Sequence, residues 1–199
     1  MDLGPITPVP RLGTEPFLDG EEPLGFDLLS FWQWGVSDVV NNVMRGILAE
    51  YLVAKSVDAT DGVRDAWAAY DIDDPRGIKI EVKSSAYIQS WGQKELSKVS
   101  FSYKRSIGWN SVTGDYDKIA KRHADVYVFA LLVHKDKPTI NPMDLSQWCF
   151  YVVPTSVLND RERSQDSITL ASLKTLAPHN KPVKFRQLRE AIGKAAELN

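Results

Sequence analysis

The stretch YDIDDPRGIKIEVKSS, Tyr70 to Ser85, decides how this chain is read. Its second half alternates strictly, with Ile78, Ile80 and Val82 on one face of a strand and Lys79, Glu81 and Lys83 on the other. The segment DDPRG ahead of it carries proline near the start of a turn and glycine where φ must become positive. Together these features predict a β-hairpin between strands over AWAAYDID (66–73) and GIKIEVKSS (77–85). A three-residue loop, Pro75-Arg76-Gly77, pairs Asp74 with Ile78 and Asp71 with Glu81, and directly opposed Cβ atoms lie ~5 Å apart. Carboxylates so placed repel, and this register therefore invites a cation. A four-residue loop would send Asp71 to the other face. In the three-residue register Asp73 shares the face of Asp71 and is the alternative ligand, whereas Asp74 best fits turn chemistry.

Two converging carboxylates and the Val82 carbonyl between Glu81 and Lys83 make an oxygen-rich site suited to Mg²⁺, a hard cation that keeps several waters. Lys83 shares the face of Glu81 and can touch a metal-bound water, an arrangement fit for attack on a phosphodiester. These residues resemble the PD-(D/E)XK, or restriction-endonuclease-like, nuclease superfamily. Asp71 matches its first acid, Glu81-Val82-Lys83 its triplet, Glu50 in RGILAEYL its helical glutamate, and Gln89 in AYIQSW a glutamine that some members carry. Tyr70 stands where the motif has proline. The resemblance rests on motifs between Ser37 and Trp91, while later elements agree in order alone.

What the resemblance implies is an α/β fold of the restriction-endonuclease-like kind, three layers α/β/α around a mixed central sheet. It also implies hydrolysis of DNA with Mg²⁺, for which Mn²⁺ substitutes. Asp71, Glu81 and the Val82 carbonyl would hold the metal, Glu50 would assist directly or through water, Lys83 would align the attacking water, and Gln89 is a minor site candidate. A catalytically inactive module of the same fold, binding DNA or a protein partner, is the alternative. The mode of cleavage, DNA against RNA, and a homodimer are left open.

Outward from the hairpin, 199 residues suit a single domain over 26–199 behind an extended arm, residues 1–25, that holds five of the eleven prolines. FDLLSFWQW predicts a short helix ended at Gly35, and Ser37 or Asp38 then caps a longer helix through Val57. Val43, Ile47 and Ala54, with Val40, Met44 and Tyr51 beside them, are expected to face the core, and Glu50 lies inside that arc. Arg45 and Lys55 are each five residues from Glu50, so its partner must come from elsewhere in the fold. AYIQSWGQKELSKVSFSY (86–103) reads as amphipathic and partly helical, and SIGWNSVTGDYDKIAKRHAD (106–125) as a loop leading into a short helix. The apolar runs DVYVFALLV and QWCFYVVP are expected to be central strands covered on both faces. FRQLREAIGKAAEL closes the chain as a helix burying Leu188, Ala191, Ile192, Ala195 and Leu198.

A net charge of -2 and a pI near 5.9 exclude a globally basic surface, so contact with nucleic acid must come from a local patch. One candidate is KVSFSYKRSIGWN, where Lys98, Lys104 and Arg105 meet phosphates and Tyr103 or Trp109 stacks on a base. The one cysteine, Cys149, sits in an apolar run as a buried thiol, which excludes intrachain disulfides and multi-cysteine zinc sites. His123, His134 and His179 share no ligand spacing. No apolar run nears the ~20 residues of a membrane helix, and the amino terminus lacks a basic start followed by an apolar core, so a cytoplasmic protein without a membrane partner is expected.

Overall fold

The computed structural model describes residues 4–110, 113–161, 166–176 and 181–199; His179 lies outside the described residues. In chain order the elements are β1 (Pro16–Asp19), β2 (Glu22–Asp27), α1 (Leu28–Val36), α2 (Asn42–Ser56), β3 (Ile72–Asp73), β4 (Lys79–Ala86) and β5 (Ser100–Ser102). There follow β6 (Val126–Leu132), β7 (Trp148–Pro154), α3 (Thr155–Asn159), β8 (Ser167–Thr169), α4 (Leu170–Leu173) and α5 (Leu188–Ala196). The central sheet has the order β3-β4-β6-β7. It is mixed, because β4 and β6 run parallel while β3 with β4 and β6 with β7 are antiparallel.

The hairpin forms in the three-residue register. Ile72 pairs with Ile80 and Asp73 with Lys79, the Asp74 amide donates to the Ile78 carbonyl at 3.1 Å, and Gly77 takes φ of +81°. Asp74 makes the turn. It is buried, its Oδ1 accepts from the Arg76 and Ile78 amides at 2.8 and 3.0 Å, and its Oδ2 accepts from Arg76 Nε and Nη2 at 2.8 and 2.6 Å. Asp74→Ala strips these amides of their acceptor and is expected to cost about 1–3 kcal/mol, read as a lower urea midpoint. An unchanged midpoint would show that the turn does not depend on this carboxylate.

Alternation along the strands builds two cores. On one face Ile80, Val82, Val126, Val128 and Trp148 pack against α2 and α5. On the other, Tyr127, Phe129, Leu131 and Tyr151 meet Phe101 of β5, Ile168 of β8, Leu158 of α3 and Leu173 of α4. Three layers thus form, but the second outer layer is a two-stranded β5-β8 ladder with short helices, unlike the helical layer expected. β6 and β7 are buried on both faces as anticipated, with β7 at the end of the ladder order.

Several sequence expectations give way to tertiary contacts. Asn41, not Ser37 or Asp38, caps α2, its Oδ1 accepting from the amides of Val43 and Met44. Asp38 instead closes the preceding turn, accepting from the amides of Val40 and Asn41. The buried face of α2 is Arg45, Ala49, Leu52, Val53 and Ala54, while Val43 and Tyr51 are 67% and 53% exposed. Apolar residues lie almost all round this helix, and close packing onto β4 selects the stripe with the small Ala49 at its centre. Of AWAAYDID only Ile72–Asp73 pairs as strand.

No helix forms among the described residues of 87–125. In the first part of that stretch the Gln93 side chain accepts from the Gln89 amide at 2.7 Å and donates to the Tyr87 carbonyl and Ser97 Oγ, replacing helical backbone bonds. The proline-rich arm includes the β1-β2 hairpin, with Phe17 and Phe26 stacked at 4.8 Å, so β2 runs across the boundary expected at residue 25. In α5, Leu188, Ile192 and Ala195 are buried, whereas Leu198 lies beyond its end and is exposed. Cys149 is buried, and no described helix is long and apolar enough to cross a membrane.

Candidate active site

β3 ends where β4 continues, so Asp71, one residue before β3, faces β4 without a full ladder around it. Its amide donates to the Ile80 carbonyl at 3.1 Å, and its Oδ2 accepts from the Val82 amide at 2.7 Å. Ile80 and Val82 share a direction along the strand, so the Val82 carbonyl points to the same side as Asp71. On the next position Glu81 is hydrogen bonded to Lys83 through Oε1 and Nζ. Glu50 enters from α2, as its ninth residue, and is ion-paired through Oε2 to Nε of Arg64.

These groups share one electrostatic environment. Burial first, then Glu81 and Glu50, pushes the Asp71 carboxyl from 3.8 to about 7, against the opposing effects of the Val82 amide and Lys83. Burial disfavours the Lys83 charge, but Glu81 first and then Asp71 and Glu50 outweigh it and hold its pKa above the ordinary lysine value. Lys83 is therefore an ammonium at neutral pH. The hydrogen bond that Arg64 donates to Glu50 raises the Arg64 pKa as well. Tyr127, directly beside Glu81 in the β4-β6 register, is held as a neutral phenol by burial and then by Glu81.

A cleft of about 510 Å³ opens beside the Glu50 and Asp71 members of this cluster, with Arg64 and Tyr70 also in its wall. Ile47 and Tyr51 line it too, which accounts for the apolar stripe of α2 that does not enter the core. Asp73 is exposed and its Oδ2 accepts from the Tyr70 hydroxyl at 3.4 Å. Gln89 stands apart: it is buried, bonded to Arg45 Nη1, the Ala86 carbonyl and Ser97 Oγ, and none of its hydrogen bonds reaches Glu50, Asp71, Glu81 or Lys83. Among the described residues no three Asp, Glu, His or Cys side chains form a ready metal-ligand group, Glu50 being turned to Arg64 and Glu81 to Lys83. The Asp71 and Glu81 carboxylates and the Val82 carbonyl are all hard oxygens, a donor type that fits a partly hydrated Mg²⁺ once Glu81 turns from Lys83.

A family profile for bacteriophage T4 endonuclease IV matches residues 32–172, a span that holds α2, the hairpin and the central sheet. The chain belongs to this family. Comparison with curated proteins finds no match. Membership in the endonuclease IV family makes the chain a nuclease acting on DNA, and Glu50, Asp71, Glu81 and Lys83 all lie inside the matched span. The residue that sequence reasoning missed is Arg64. It sits in an irregular polar segment without periodicity, and only its ion pair with Glu50, fourteen positions earlier, marks it.

Proposed function

We propose that this endonuclease IV family member hydrolyses phosphodiester bonds in DNA with Mg²⁺, by the chemistry of the PD-(D/E)XK nucleases that its triplet resembles. The observation that carries this reading is the half-buried Asp71 carboxyl, pushed to about 7 by burial, Glu81 and Glu50, with the Lys83 ammonium hydrogen bonded to Glu81 beside it. An acidic cluster kept at such a cost suits a divalent cation. Asp71, Glu81 and the Val82 carbonyl would hold the ion, with Glu50 reaching it through water. When bound, Mg²⁺ polarises the phosphate and lowers the pKa of a water. Lys83, charged at neutral pH, donates a hydrogen bond that orients the attacking water and offsets charge developing on the phosphate oxygens. Arg64 keeps the Glu50 carboxylate in place at the cleft wall.

Calorimetric titration with Mn²⁺ tests the site, alongside incubation of plasmid and linear DNA with Mg²⁺, Mn²⁺ or chelator. The expected outcome is saturable binding with release of protons, because Asp71 must ionise on loading, and cleavage that needs the metal. Glu81→Ala should lose both. Cleavage that persists in chelator, or that Glu81→Ala leaves intact, would remove the assignment.

A further inference from the structure

Arg45 is 4% exposed and sits in the middle of the inward face of α2, one and two turns ahead of Ala49 and Leu52. Among the described residues no carboxylate forms an ion pair with it. Neutral acceptors hold the guanidinium instead. Its Nε donates to Ser84 Oγ at 3.3 Å, Nη1 to the Val40 carbonyl at 2.9 Å and to Gln89 Oε1 at 3.2 Å, and Nη2 to Asn42 Oδ1 at 2.7 Å. Gln89 in turn donates to the Ala86 carbonyl and to Ser97 Oγ, both at 3.2 Å. The start of α2, the second half of β4 and the segment after it thus meet at one side chain.

Stability alone does not call for this arrangement. A buried charge is expensive to desolvate, and well-packed apolar residues in its place are often neutral or stabilising. Directional bonds supply something that apolar packing lacks here. Two stripes of α2 are apolar, Ala49, Leu52 and Val53 against β4 and Val43, Ile47 and Tyr51 on the open side, so burial by itself sets the rotation of the helix only loosely. The cleft depends on that rotation. Glu50 follows Arg45 by five residues and projects roughly 140° further round the axis, between the two stripes, where it meets Arg64 in the cleft wall. Ser84 follows Lys83 directly in β4. The bond from Arg45 Nε to Ser84 therefore joins the helix that carries Glu50 to the strand position next to Lys83.

We propose that Arg45 is a positioning residue for the nuclease reaction: its guanidinium, bonded to Ser84, Val40, Asn42 and Gln89, sets the rotation of α2 on β4 that presents Glu50 to the hydrolytic site. The proposal rests on the reading of Glu50, Asp71, Glu81 and Lys83 as that site. Arg45 is buried, so it touches neither DNA nor the reacting atoms and acts through Glu50. Gln89 belongs to the same device, holding Nη1 at the end of β4. Small errors in the placing of a catalytic group cost rate out of proportion to their size, which is what a fixed helix rotation prevents.

The test is a double-mutant cycle on DNA cleavage with Mg²⁺. Wild type is compared with Arg45→Met, Ser84→Ala, Glu50→Gln and the two combinations with Glu50→Gln, each with a melting curve and with binding of a fluorescent DNA oligonucleotide in chelator. Arg45→Met is expected to lower kcat about tenfold and Ser84→Ala about threefold, while KM and binding stay within about twofold of wild type. In the Glu50→Gln background both losses should shrink to less than about twofold, because the lost alignment no longer serves a carboxylate. A merely structural residue would lower activity by the same factor in both backgrounds, and that result overturns the proposal. So does wild-type kcat in Arg45→Met and Ser84→Ala, or DNA binding that weakens when the guanidinium is removed. Should Arg45→Met fail to fold, the half-buried Ser84, which gives up a single bond in Ser84→Ala, decides the matter alone. Lys83→Ala separates the two readings: if it is dead while the factors are equal, the positioning role alone fails; if it cleaves like wild type, the hydrolytic reading fails.

Discussion

Lys83→Ala is expected to lower turnover about a thousandfold while DNA binding stays within about threefold of wild type. The ammonium is hydrogen bonded to Glu81 and is held charged by Glu81, Asp71 and Glu50, so in the resting protein its charge is already spent on carboxylates. Removing it costs little long-range attraction for DNA. In the transition state, however, negative charge builds on phosphate oxygens at the same spot, and there the lost donor is felt in full. Lys83→Ala also leaves three acids without their neutralising neighbour. The variant should therefore melt lower than wild type at pH 8 in chelator and regain most of the difference with Mg²⁺. Turnover near that of wild type would take Lys83 out of the reaction.

Asp71→Asn should act in opposite directions on stability and activity. The folded pKa of Asp71, about 7, lies above its ordinary 3.8, so the folded chain holds this proton more tightly than the unfolded one. The resulting stabilisation is fully present below about pH 4 and is lost as pH rises through about 7. At about 1.4 kcal/mol per unit the shift from 3.8 to about 7 sets an upper bound near 4 kcal/mol on the cost of ionisation at pH 8. Part of that bound is shared with Glu81 and Glu50, so about 1–2 kcal/mol is the gain expected from the neutral isostere, whose amide oxygen still accepts from Val82. In chelator the difference in melting temperature between Asp71→Asn and wild type should grow from pH 5 to pH 8. Cleavage should fall at least a hundredfold and the Mn²⁺ heat should vanish. A variant that melts no higher than wild type at pH 8 would show that Asp71 is not held at a cost, and the argument for a cation there would lose its footing.

The hairpin was legible because its determinants are local. Alternation in IKIEVK, proline and glycine in the loop, and an aspartate able to hold the turn all act within a few residues, and the register that pairs Ile72 with Ile80 and Asp73 with Lys79 follows from them. β6 and β7 were legible from apolar runs that only two-sided burial explains. The face of α2 was not, because Val43, Ile47 and Tyr51 are as apolar as Leu52 and Val53. Periodicity could not choose between stripes when both are hydrophobic; contact with β4 and the opening of the cleft did. Gln89 matched a motif by spacing, yet its hydrogen bonds tie it to Arg45 and the end of β4.

By itself, then, the sequence determined the hairpin that carries the candidate residues Asp71, Glu81 and Lys83, and that two strands run through the core, since each depends on neighbours a few residues away. Only the tertiary structure decided that Glu50 meets Arg64, that Tyr127 stands beside Glu81, and that Arg122 and Arg161 both lie over the Tyr103 ring. Those contacts join residues far apart in the chain. Their energies come from burial and charge that exist only once the layers are packed, and no local pattern encodes them.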